Sequence, residues 1–165
     1  MKAWQIWTFT TVLILIAVVS VGWAALWKNL ASEWSVEASA AQYALNHSPL
    51  QSITKHDVFT GDGAEEVFEG KDAFGRGWYV MVSGTPPQAH SVQVQALKPS
   101  NVIRVEATHS GLQVISTHLG YLDSQGQSQL GTNASFIWEV YGKTQTGTYQ
   151  YAYYNAENGK LIHVY

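Results

Sequence analysis

The chain contains no cysteine. That absence excludes a disulfide framework, a thiol nucleophile and cysteine-ligated zinc. Charge is the second scarcity: Asp, Glu, Lys and Arg make up only 13% of 165 residues, and 12 acidic side chains outnumber 9 basic ones. Lys2 and Lys28 flank an apolar run, so the remainder is more acidic still. Binding to a phosphate backbone needs a basic surface, and nucleic acid is therefore not an expected partner. The motifs of common chemistries are missing as well. There is no Gly-x-Ser-x-Gly elbow, no Walker loop and no dinucleotide fingerprint. His47, His56, His90, His109, His118 and His163 show neither His-x-His nor His-Glu-x-x-His spacing. The chain is expected to hold no metal or cofactor and not to be an enzyme.

What the chain does have begins with an uncharged stretch at 6–27, rich in Val, Ile, Leu and Ala. A helix needs roughly 20 such residues to cross a bilayer. Trp4 and Trp7 stand at one end, Trp23 and Trp27 at the other. Indoles favour the headgroup level, so both edges read as membrane interfaces. A cleaved signal peptide has an apolar core of about 7–15 residues and a small-residue cleavage site. "WAAL" is a poor site, so the run reads as a retained single-pass anchor. Residues 1–5 are then a short cytoplasmic tail. The folded mass is expected on the extracellular side of the plasma membrane. Charge hardly decides that orientation, because one lysine lies on each side.

After the anchor the order of elements repeats. Trp34, Ala38, Ala41 and Leu45 recur at helical spacing, Ser32 or Ser35 can cap the start, and Pro49 stops continuation. Strand-like runs follow: "SITKHDVF", "EVFEGKD", "GWYVMVSG" and "HSVQVQAL", the last alternating Val92, Val94 and Ala96. A second short helix is expected over "SNVIRVEATHSG", capped by Ser100 or Asn101 and closed by Gly111, although its β-branched content also permits a strand. "LQVISTHLGYLD" is a long strand and "SQGQSQLGTN" a polar loop. "SFIWEVYGK", "TYQYAYYN" and "LIHVY" are three more strands, with Asn158-Gly159 as a type I′ turn before the last. The expected class is α+β: an N-terminal transmembrane helix, then one helix-on-antiparallel-sheet module over 28–98 and another over 99–165.

Several residues invite a chemical role. Glu65, Glu66, Glu69 and Asp72 surround a predicted hairpin and are expected to solvate it, not to act as paired catalytic carboxylates. His56 and Asp57 are neighbours on a strand and point to opposite faces. "GDGAEE" lacks the alternating ligands of a calcium loop. Asp123 reads as turn chemistry. Ser116 to His118 is a strand fragment, and Asn133-Ala134-Ser135 fits a glycosylation pattern of little weight here. The aromatics remain. Tyr149, Tyr151 and Tyr153 share one strand face by period two, with Trp138 on the neighbouring strand. They read first as core between sheet and helix, and second as an exposed patch for a partner. Trp138, Tyr149, Tyr151 and Tyr153 are the candidate binding residues.

The arrangement resembles the YpmB/TseB family of tandem PepSY-type, cystatin-like proteins. Two stretches carry the resemblance: "EEVFEGKDAFGRGWYVMVSG" and "FIWEVYGKTQTGTYQYAYYNAENGKLIHVY". In the second, Asn155 stands at the position of the family's turn aspartate and Asn158 at that of its threonine, while Gly159 is kept. The turn "GTPPQ" departs from the family's usual polar-glycine turn. The resemblance implies a non-enzymatic role in cell-wall (peptidoglycan) elongation through contact with a membrane-bound penicillin-binding protein. It also implies an alternative, restraint of an extracellular peptidase. A third reading, a hydrolase built from scattered residues such as His56 and Glu69, comes from no motif.

Overall fold

The computed structural model describes residues 3–61 and 63–165; within the first helix it describes the side chains of Trp4, Trp7, 11–12, 15–23 and those from Val36 onward. Helix α1 runs Ala3–His47. Two compact units result, Met1–Ser39 and Ala40–Tyr165. The first unit is helix alone. Its described apolar side chains, among them Val12, Leu15, Ile16, Val18, Val19, Val21 and Trp23, are all exposed. Among the described residues no helix is long and apolar enough to cross a membrane. The span read at 6–27 rests in part on side chains outside the described residues, as does Trp34. The two helices expected around 28–34 are one: no cap at Ser32 or Ser35 interrupts the run.

The second unit holds two four-stranded antiparallel meanders. The first comprises β1 (Ser52–Phe59), β2 (Glu65–Lys71), β3 (Gly77–Ser83) and β4 (Gln88–Gln93). The second comprises β5 (Leu112–Tyr121), β6 (Phe136–Thr144), β7 (Tyr149–Asn155) and β8 (Leu161–Val164). Helix α2 (Ser100–His109) precedes the second sheet, and a short helix α3 (Ser124–Leu130) joins β5 to β6. Expected strand centres therefore hold, with one displacement. The fourth strand begins at Gln88 and gives way to a 3-10 turn at Val94–Ala96, so the alternation of Val92, Val94 and Ala96 does not continue as a strand.

Period-two burial explains how the layers stack. In the first sheet Phe68, Val80 and Val82 face the last turns of α1, where Ala40 and Ala44 are buried. The apolar stripe of α1 thus runs through Ala40 and Ala44, with Ala41 and Leu45 at its margin, and Ala38 is exposed. Small residues win the buried positions because a helix lying close on a sheet leaves room only for a methyl group. The opposite face of that sheet, with Val67 and Met81, joins a second cluster built from Ile103 and Ala107 of α2 and Trp138, Val140, Ala152 and Tyr154 of the second sheet. Both faces of the first sheet are consequently covered.

Local chemistry differs from expectation in three turns. Helix α2 starts after Pro99 with no side-chain cap, and neither Ser100 nor Asn101 serves. A ring-fixed φ readies the chain for a helix without one. The polar stretch after Leu122 is a helix, because Asp123 accepts hydrogen bonds from the N–H groups of Gln125 and Gly126 and Gly131 ends it at φ +62°. The last hairpin is not a type I′ turn. Asn155 Oδ1 accepts from the N–H groups of Glu157 and Asn158, the Gly159 N–H donates to the Asn155 carbonyl, and Gly159 alone takes a positive φ. An aspartate would accept the same two bonds, which accounts for asparagine here.

Candidate functional site: the outer face of the second sheet

The register of the second sheet sorts its aromatics. Trp138 pairs with Tyr154 and Val140 with Ala152, so these share the face turned toward α2. The Trp138 indole N–H donates to the Lys98 carbonyl (2.9 Å), and its ring meets Tyr79 edge-on at 6.3 Å. Glu139 pairs with Tyr153 and Tyr141 with Tyr151, so these share the other face. Grouping Trp138 with Tyr149, Tyr151 and Tyr153 is therefore corrected: adjacent strands carry them on opposite faces. The core between sheet and helix is filled by Trp138 and Tyr154, and the tyrosine triplet looks outward.

Burial then divides the triplet. Tyr149 and Tyr151 are 56% and 42% exposed, whereas Tyr153 is buried. Tyr141 lies between the first two, 5.7 Å from Tyr149 and 4.7 Å from Tyr151 between ring centres. The Lys143 ammonium sits 5.4 Å over the Tyr149 ring. Beyond Tyr153 the row continues to Tyr165, 63% exposed, which meets Tyr153 edge-on and packs near His163. Leu161 and Val164, also exposed, pair with Tyr154 and Ala152 and so belong to the opposite face. Tyr149, Tyr151 and Tyr165 thus form an exposed aromatic row on this face. Sequence reasoning missed Tyr141, Tyr165 and His163: placing them needed the β6–β7 and β7–β8 registers.

At one end of this face Phe59 lies over Gly120, where any Cβ would stand 2.5 Å from its ring. A cleft of about 110 Å³ opens there, walled by Phe59, Leu122, Leu130, Ile137, Tyr153 and Tyr165. Glu139 is buried behind it. Burial pushes its carboxyl above the usual range, against the Tyr153 hydroxyl bond and the charge of His118. Burial and Glu139 likewise push the Tyr153 phenol up.

The remaining candidates turn out to be structural. Glu65 and Asp72 are buried, contrary to the expectation that they solvate their hairpin. Glu65 accepts from the Tyr121 N–H (2.9 Å), tying the first sheet to β5. Asp72 accepts from Trp78, Arg76 and Phe74. Glu66 pairs with His56 and Glu69 with Lys55 across β1 and β2. Asp57 points away from His56 and reaches His118, 2.9 Å away on β5. His90 stacks on Tyr121 at 3.7 Å, and burial lowers its pKa. Among the described residues no three His, Asp or Glu side chains converge on one point.

Fold and surface together define a class: a tandem helix-on-sheet α+β protein whose open feature is an aromatic sheet face. The chain is similar to a solved structure, the YpmB protein from Bacillus subtilis, with a TM-score of 0.65, 21% identity, and coverage of 77% of this chain and 94% of that one. At that identity the likeness shows the fold, and the resemblance read from the terminal hairpin is met at that level. No family model and no curated protein matches the chain.

Proposed function

We propose that this protein is a membrane-tethered, extracytoplasmic, non-enzymatic interaction protein that modulates cell-wall elongation by docking on a membrane-bound penicillin-binding protein. One observation carries the docking reading: the exposed row Tyr149, Tyr151 and Tyr165 on one face of the second sheet. Tyrosine supplies a large, stiff, amphipathic contact and is favoured among interface anchors. Sheet faces that serve only the fold keep polar side chains toward water. The membrane tether is supported by the uncharged run 6–27 and by apolar side chains exposed around the helix, a pattern that calls for an apolar solvent. A partner in the same membrane is met at high effective concentration, so modest affinity suffices. The penicillin-binding protein itself comes from the resemblance.

The test is in-cell crosslinking of the anchored chain, read by mass spectrometry against a control carrying only residues 1–30. Enrichment of a penicillin-binding protein, lost when Tyr149, Tyr151 and Tyr165 are changed together to Ser, is the expected result. Enrichment of an extracellular protease instead would replace it with peptidase restraint. No enrichment over the control would remove the docking reading.

A further inference from the structure

A row of titratable side chains crosses the outer face of the second sheet, one from each strand. The register sets His118 of β5 beside Glu139 of β6, Glu139 beside Tyr153 of β7, and Tyr153 beside His163 of β8. The end of β1 lies over this row. Asp57 meets His118 Nδ1 with both carboxylate oxygens, at 2.9 and 3.1 Å. Phe59 packs on Gly120, and its ring walls the same small cleft as Ile137 and Tyr153. Gly61 passes so close to Glu139 that a Cβ there would stand 2.7 Å from Glu139 Oε2. Glu139 is buried beneath. Burial pushes its carboxyl up, while the Tyr153 hydroxyl and the charge of His118 pull the other way. The other described charges nearby are engaged elsewhere. Lys55 and His56 of β1 pair with Glu69 and Glu66, and Glu65 accepts from the Tyr121 N–H. Helix α3, which walls the cleft with Gly126, Gln129 and Leu130, carries no charge.

We propose that residues 57–61 form a pH-sensitive strap on this face, closed while His118 carries a proton and lifted when His118 loses it. Protonated, the imidazolium stands between two carboxylates, Asp57 on the strap and Glu139 beneath it, and attracts both. Histidine changes charge between pH 5 and 8. Once neutral, His118 leaves the strap only an uncharged donor for Asp57. It also leaves Glu139 without a counter-charge, and a charge buried without a partner is costly. Under the strap the Glu139 carboxyl keeps its proton longer than it would in water, so the closed form loses ground as pH rises through that raised value. Both deprotonations therefore act in one direction, toward opening. Lifting the strap lets water reach Glu139 and bares Tyr153 beside the exposed tyrosines. The Tyr153 phenol stays neutral throughout, because burial and Glu139 push its pKa up. The strap belongs to this chain alone and stands or falls independently of any docking partner.

The experiment places para-fluorophenylalanine at position 59 of the full chain and reads its fluorine NMR solvent isotope shift, which reports whether water reaches the ring. The range runs from about pH 5 to about pH 9, on either side of the histidine titration. Far-UV circular dichroism of the same samples follows the fold. Expected is an open fraction that grows about 5-fold or more across the range, with circular dichroism unchanged. His118→Gln removes that step, and Glu139→Gln shrinks it by removing the buried charge. His163→Gln, at the far end of the row, leaves it as in the wild type. A ring signal that stays flat in the wild type overturns the strap. So does a step that survives His118→Gln, or one that His163→Gln abolishes. Loss of circular dichroism over the same range means that the whole fold titrates, and that also overturns it.

Discussion

The two sheets have the same strand order and opposite fates. The first is covered on both faces, by the end of α1 and by the cluster it shares with α2 and the second sheet. The second is covered on one face and at one end of the other, where Phe59 packs and Ile137, Glu139 and Tyr153 are buried, and it leaves Tyr149 and Tyr151 open. A face with a layer over it selects residues for volume, and a face without one is free to be selected for contact. The tyrosines of β7 make this plain within a single strand. Tyr154 is fully buried against α2, while Tyr151, three residues earlier, is exposed.

The sharpest way to break that comparison is to shorten both side chains. Tyr154→Ala is expected to lose about 3–5 kcal/mol, as large aromatic truncations in a core do. Tyr151→Ala should lose less than about 1 kcal/mol, as surface changes do. Urea unfolding of each variant measures both, and equal losses would mean that the outer face is core. Next in size is Gly120→Ala. Its methyl group would press on the Phe59 ring, so a loss of about 1–3 kcal/mol is expected, and a change to a smaller residue at 59 should recover part of it.

Two buried carboxylates, Asp72 and Glu139, titrate in opposite senses. Asp72, at the rim of the first sheet, has its pKa lowered from 3.8 to about 2. Its contribution is present above 3.8 and is lost as pH falls toward about 2, because the unfolded chain takes up the proton first. Asp72→Asn should flatten that acid limb of a Tm–pH curve and lower the plateau. Glu139, behind the second sheet's outer face, is raised. Here the folded state holds the proton longer, so its contribution is complete below the ordinary 4.5 and fades as pH rises through the raised value. Glu139→Gln keeps an acceptor for Tyr153 and removes the buried charge. The smallest effect is expected from it, a modest rise in Tm at neutral pH and a flatter curve. A fall in Tm instead would mean that the ionised carboxylate stabilises the fold.

Much of the layout was legible in the chain. Strand-like runs between turns located β1, β2, β3, β5, β6 and β7, and Gly111 marked the end of α2. Helix α3 was missed because "SQGQSQL" has no apolar stripe; its evidence was the single cap at Asp123. Trp138 was read correctly as a core residue of the neighbouring strand, but its separation from the tyrosine triplet was not legible, because period two orders residues within one strand while the register that aligns two strands is set by pairing across the sheet.

The sequence by itself determined what local periodicity and backbone chemistry can write: the strands, the second helix, the uncharged run at 6–27 and the shared parity of Tyr149, Tyr151 and Tyr153. Tertiary structure decided which of those faces meets water. It buried Glu65, Asp72 and Glu139, joined Asp57 to His118 across 61 residues, and left Phe74 and the outer tyrosines uncovered. The physical reason is that burial and hydrogen-bond partnership belong to the neighbour a residue meets, and that neighbour is chosen by how layers stack, not by the residues on either side in the chain.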